Sequence, residues 1–286
     1  MQKILQRFLI FFAGLPVLLL LVIFLPAYNH LCLNLTVVLF AVLGALEFQN
    51  ILKEKDLYIP LPETAILGGM VPALTTASVS FGFSGFFIII IMMAAFSWLL
   101  LSRIFSAAKE QKMFINRAAA GFSVIIYPGI FLSWIIAMSA FSASVILIVV
   151  FLLMVFLNDS AAWAAGMLFG KGNRGIIPVS PNKSIAGFAG GIIASLLIGL
   201  GGVIFFPEIF TARLLPPVFS AILLGLFTGI AAALGDLGES VLKRSAGIKD
   251  SGFIIPGRGG ILDSIDSIAM AAPVYYLVIR LLFVTL

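Results

Sequence analysis

Apolar runs of about 20 residues recur from one end of the chain to the other, and that is the length a helix needs to cross the hydrocarbon core of a bilayer. They fall at roughly 8–28, 31–51, 63–82, 84–105, 118–138, 143–165, 185–206, 214–236 and 267–286. Composition leaves no other class open. Hydrophobic residues make up 62% of the 286 and charged ones 10%, and the mean hydropathy of +1.21 exceeds what a water-soluble core with a polar exterior could carry. The sequence predicts an all-α, polytopic transmembrane protein of about nine spans. Lys3 and Arg7 before the first run resemble the start of a signal peptide, but its length and the spans behind it predict an uncleaved helix.

The bases set the expected orientation, because short loops rich in Lys and Arg stay cytoplasmic. With the N-terminus cytoplasmic and the C-terminus external, all but Arg213 and Arg280 of the seventeen bases fall on or near the cytoplasmic side. The net charge of +5 follows from that rule and needs no acidic partner. Nucleic-acid binding is not expected, since no basic and aromatic residues interleave and no soluble region presents them. The single cysteine, Cys32, excludes an intramolecular disulfide and a cysteine-based metal cluster. The single histidine, His30, falls between the first two runs and reads as an interfacial residue on the outer side.

Residues 239–267 depart from this background, with acids, bases and glycines crowded between two apolar runs. Asp159 and Asp236 end apolar runs and Asp263 and Asp266 open the last one, all toward the same expected membrane face. Ionisable groups at membrane depth are costly and point to function. Asp236, Ser240 and Lys243 share one helix face by their spacing, as do Asp263, Asp266 and Ser267. Pro256-Gly257 suits a tight turn, and Gly259-Gly260 before a helix start leaves backbone N–H groups free for an anion. Lys183 and Ser184 open the seventh span behind a second basic, glycine-rich segment. Carboxylates beside lysines and glycine-rich helix starts fit phosphate chemistry with Mg²⁺, which prefers oxygen ligands from a few carboxylates and substrate phosphates. Each part also has a structural reading: Asp263 as an N-cap, Asp236 as a partner of Lys243, the glycines as helix contacts.

Taken together, these residues resemble the phosphatidate cytidylyltransferases, or CDP-diacylglycerol synthases. That family's C-terminal signature has S-x-x-K-R-x-x-x-x-K-D, a proline turn, H-G-G and D-R-x-D. Ser240, Lys243, Arg244, Lys249, Asp250, Pro256, Gly259, Gly260, Asp263 and Asp266 stand at the matching places. The similarity covers roughly residues 155–275. Arg258 replaces the histidine before the glycine pair, and Ser264 replaces the arginine after the first aspartate.

The resemblance implies transfer of a cytidylyl group from CTP to phosphatidate in the bilayer, giving CDP-diacylglycerol and pyrophosphate, with Mg²⁺ and a possible second cation. It further implies a multi-pass protein of the cell inner membrane and a homodimer. Asp236 and Asp263, then Asp159 and Asp266, are the expected metal ligands. Lys183, Lys243, Arg244, Lys249 and Asp250 are the expected catalytic residues, and Ser184, Ser240, Arg258, Gly259 and Gly260 the expected phosphate contacts. On this reading residues 1–140 are N-terminal membrane helices for lipid contact and assembly, and residues 141–286 the catalytic membrane domain. A CTP-dependent polyprenol or phytol kinase and a secondary transporter remain alternatives.

Overall fold

The computed structural model describes residues 14–101, 104, 112–252, 255 and 259–284. Lys3, Arg7, Arg103, Lys109, Pro256, Gly257, Arg258 and Leu286 lie outside them. The described chain is helical, as expected, and its β-pairing is confined to isolated bridges. The helices are α1 (Gly14–Phe24), α2 (Ala27–Lys53), α3 (Leu61–Phe81), α4 (Phe86–Leu101), α5 (Phe114–Met138), α6 (Ser144–Phe169), α7 (Ile185–Phe205), α8 (Pro217–Ser245) and α9 (Leu262–Leu282). Among the described residues seven of these are long and apolar enough to cross a membrane, and α1 and α4 are shorter.

Two boundaries differ from the apolar runs in ways that matter. α8 continues past residue 236 to Ser245, because Glu239, Leu242, Lys243 and Arg244 keep good helix propensity after the hydropathy has fallen. Lys243 and Arg244 lie in its last turn, where cations suit the negative end of the helix dipole. α9 begins at Leu262 instead of 267, so Asp263 and Asp266 are helical. Pro128 gives α5 a π-helical segment, Ile125–Ile130, since its missing N–H breaks the regular ladder. At the start of α2, Tyr28, Asn29 and His30 are left-handed, and His30 is buried.

Two compact units divide the chain. The first comprises Met1–Phe24, Met138–Val241 and Asp266–Leu286. Its α6, α7 and α8 touch through glycines, because small residues let backbones approach where lipid supplies no hydrophobic drive between helices. A Cβ at Gly225 of α8 would lie 2.6 Å from Leu196 Cα of α7, and one at Gly191 of α7 would lie 2.8 Å from Asn158 Oδ1 of α6. Asn158 is buried and donates to Ser195 Oγ at 3.0 Å and to the Gly229 carbonyl at 3.3 Å, one amide joining three helices. The α9 segment joins through Tyr275, fully buried, whose hydroxyl donates to the Leu147 carbonyl at 2.8 Å.

The second unit comprises Leu25–Ala137 and Leu242–Ile265. α2 and α3 cross at Gly68 and Gly69, where a Cβ would collide with Ala45 and Val42. Gly44 of α2 receives the start of α9, with Ile265 Cδ1 placed 3.1 Å from where its Cβ would stand. Phe48 and Tyr127 meet edge to face at 5.5 Å.

Candidate active site

In the first unit the candidate side chains gather around two helix ends. Ser184 caps α7: its Oγ accepts from Gly187 N at 3.0 Å, which satisfies one of the free amides of the first turn. The preceding loop is pinned by Arg174, which donates to the Gly166 carbonyl at 2.8 Å, and by Gly175 N to the Pro181 carbonyl at 3.0 Å. Lys183 is thereby held at the mouth of α7, and its Nζ lies 2.6 Å from Asp236 Oδ2 on α8. Asp236 thus takes its lysine from α7, not from Lys243 further along its own helix.

Asp266 is 4% exposed and interacts electrostatically with Asp236, Glu239 and Asp159. Ser267 Oγ donates to Asp159 Oδ1 at 3.4 Å. α8 and α9 come so close here that a Cβ on Gly235 would collide with the Asp266 carbonyl. Four carboxylates therefore share a corner in which Lys183 is the cation paired with Asp236. Among the described residues no three acids form a ready-made metal cage. Mg²⁺ does not need one, since it usually takes one or two carboxylates and completes its shell with water and substrate phosphate. The surplus of hard oxygen donors around buried Asp266 fits such a cation.

In the second unit the centre is Asp263, in the first turn of α9. Its Oδ1 pairs with Lys243 Nζ, the pair being largely buried. Its Oδ2 accepts from Gly260 N at 2.8 Å, Ser251 N at 3.0 Å and Ser251 Oγ at 2.8 Å. The carboxylate that the signature offers as a metal ligand thus gathers a lysine and two loop segments. Gly259 sits at φ 111°, a left-handed conformation that suits glycine, and pairs with Ile255 through both backbone bonds, at 2.9 and 3.0 Å. Ser264 Oγ donates to the Gly260 carbonyl at 3.2 Å. Arg244 is exposed and donates to the Ile248 carbonyl at 3.3 Å. Lys249 and Asp250 are exposed and, with Asn50 of α2 and Glu54 just after it, line an open cavity of about 370 Å³. Ser240 is half-buried on α8. Arg258 lies outside the described residues.

Residues 5–282 match the Cytidylyltransferase family. The chain belongs to that family. Individual relatives agree: a phosphatidate cytidylyltransferase of Synechocystis is 42% identical over 137 residues, covering 46% of this chain and 45% of the relative. One from Bacillus subtilis is 42% identical over 127 residues, 43% of this chain and 44% of its own length. One from Staphylococcus saprophyticus is 43% identical over 121 residues, with 42% and 44% covered. The matched stretches thus span less than half the length of these cytidylyltransferases.

Three residues join these clusters without having been singled out in the sequence. Glu239, 1% exposed, stands three positions after Asp236, and that helical spacing was the signal for it. Ser251 directly follows the Lys249-Asp250 pair. Glu47 lies on α2 in the N-terminal half; its Oε2 accepts from Leu262 N at 2.8 Å, across 215 positions of sequence. No local pattern marks it.

Proposed function

We propose that this chain transfers the cytidylyl group of CTP to phosphatidate, forming CDP-diacylglycerol and releasing pyrophosphate. Membership of the cytidylyltransferase family across nearly the whole chain carries this reading. The names of the matched relatives and the acid and lysine clusters at the ends of apolar helices support it.

In the proposed reaction a phosphate oxygen of phosphatidate attacks the α-phosphorus of CTP. The new P–O bond forms as the bond to the β-phosphate breaks, and the electron pair leaves on pyrophosphate. A phosphate monoester with a second pKa of about 6 is already largely dianionic at neutral pH, so attack needs no strong base. What the chain must supply is placement and charge compensation. Lys243, aligned by Asp263, and the exposed Arg244 and Lys249 are assigned to phosphate oxygens. Arg258 is assigned to the departing pyrophosphate. Lys183 balances Asp236 until substrate phosphate arrives. One or two of Asp236, Asp159 and Asp266 would hold Mg²⁺, which when bound withdraws charge from phosphate oxygens. Apolar helices keep the diacylglycerol tails in lipid while the headgroup meets water-soluble CTP.

The test is purified protein with phosphatidate, Mg²⁺ and CTP labelled at either the α or the γ phosphorus. Label from the α position in a lipid-linked CDP is the expected result. Label reaching lipid only from the γ position would make the chain a CTP-dependent lipid kinase, and no lipid label at all would refute transfer.

A further inference from the structure

Glu47 carries an ionisable group into the interior of the second unit, where it is 4% exposed. Its Oε2 accepts from Leu262 N at 2.8 Å and lies 3.3 Å from Ser251 Oγ. Its Oε1 is buried with no hydrogen-bond partner among the described residues. Two glycines are shaped around it: a Cβ at Gly252 would collide with Oε1, and one at Gly260 with Oε2. A buried carboxylate is costly, and an apolar side chain of the same size would fill the space more cheaply. The group therefore needs a reason to be there.

The reason lies in how two carboxylates divide one set of donors. α9 opens with amides that have no partner inside the helix. Glu47 takes the first of them, Leu262 N, while Asp263 takes Gly260 N in the turn just before the helix. Ser251 Oγ sits between the two acids with a single proton, at 2.8 Å from Asp263 and 3.3 Å from Glu47. The shorter contact claims the proton. With Leu262 N held from α2 and both glycines seated on the Glu47 carboxylate, the loop at 251–252 and the turn at 260–262 have fixed places, and Asp263 is left facing Lys243. We propose that Glu47 is a positioning residue: it anchors both segments to α2 and so sets the orientation of Asp263 and, through it, of Lys243. It touches no substrate. Its bearing on turnover rests on the cytidylyl-transfer reading above, whereas the anchoring does not.

Glu47→Leu and Glu47→Gln in the full chain separate these two levels. Hydrogen exchange at the Leu262 amide is expected to rise about tenfold or more in Glu47→Leu, since its local acceptor is gone, and to change little in Glu47→Gln, whose carbonyl can still accept. In the CTP assay Glu47→Leu is expected to lower kcat per folded molecule about tenfold or more at nearly constant KM for CTP, while Glu47→Gln loses only a few-fold. A residue that merely filled space would lower the folded yield and leave kcat per folded molecule unmoved. Unchanged exchange in Glu47→Leu, or unchanged kcat in an active protein, overturns the proposal. If the unmodified protein makes no lipid-linked CDP, the reaction assigned above is refuted, and exchange alone decides the role of Glu47. Should Glu47→Leu not fold, Glu47→Asp, a methylene too short to reach Leu262 N, gives the same two readouts.

Discussion

Lys183 and Asp236 meet at 2.6 Å, the first at the mouth of α7 and the second far along α8. Both side chains are partly exposed, at 24% and 41%, so the pair contributes little to stability, about 0–1 kcal/mol. In the proposed reaction its value is chemical: a lysine and a carboxylate are held ready at the end of two helices.

Asp236→Asn should therefore leave the fold in place and remove turnover. Loss of one preorganised charge in a phosphoryl site is worth about a hundredfold or more in kcat. The check is a kcat measurement alongside the thermal midpoint. Near-normal turnover at limiting Mg²⁺ would take Asp236 out of the metal set.

Gly225→Ala tests the glycine contacts of the first unit. The added Cβ would stand 2.6 Å from Leu196 Cα, a backbone atom that cannot swing aside. Overpacking of this kind costs about 1–3 kcal/mol. A fall in unfolding midpoint in detergent is the expected outcome, and an unchanged midpoint would mean that α7 and α8 can part without loss.

Ser184→Ala should cost about 1 kcal/mol, the usual loss of a serine N-cap. The hydroxyl accepts from Gly187 N and is 4% exposed, which suits a cap. A raised KM for CTP at an unchanged thermal midpoint would assign it to phosphate instead.

The loop of Lys249 should be cytoplasmic. Cys32 is free and exposed, so the measurement uses a Cys32→Ser background carrying Lys249→Cys. Labelling by an impermeant thiol reagent is expected in inside-out vesicles only. Reaction in intact cells would reverse the orientation, and with it the access of CTP.

Arg258 and Ser264 form a compensating pair if both positions serve one phosphate. Arg258→His alone should then lose about 1.5–3 kcal/mol of transition-state binding, as for one charge-assisted hydrogen bond. Adding Ser264→Arg should restore most of it, a non-additivity expected of residues that share a partner. A double variant no better than Arg258→His would show that the two changes are independent.

Much of the fold was legible because it is written in hydropathy: the apolar runs marked the helices to within a few residues except where charge begins. At 236 the run ended but the helix did not, since Glu239, Lys243 and Arg244 are polar yet favour helix. The signature residues were legible as a pattern, and Lys243 with Asp263 is a pair that pattern contains. The contact of Lys183 with Asp236 was not, because nothing local says which lysine a carboxylate will find. Ser184 stands where the resemblance implies a phosphate contact, while its position before an apolar run equally signals a cap. Glu47 was invisible for a different reason. A lone acid near the end of an apolar helix looks like an interfacial residue, and only the folded chain brings Leu262 to it.

Asn158 and Asp159 are neighbours with different tasks, and about 100° of helix rotation separates them. The buried amide of Asn158, fastened to Ser195 and to the Gly229 carbonyl, sets the angle at which α6 can stand. A helix clocked in this way cannot turn its next residue elsewhere. The aim of the Asp159 carboxylate is thus indexed from inside the helix packing, by a side chain that is 2% exposed. If Asp159 serves the proposed reaction, loss of activity from a change at Asn158 would be a fault of alignment, arising one residue away from the carboxylate.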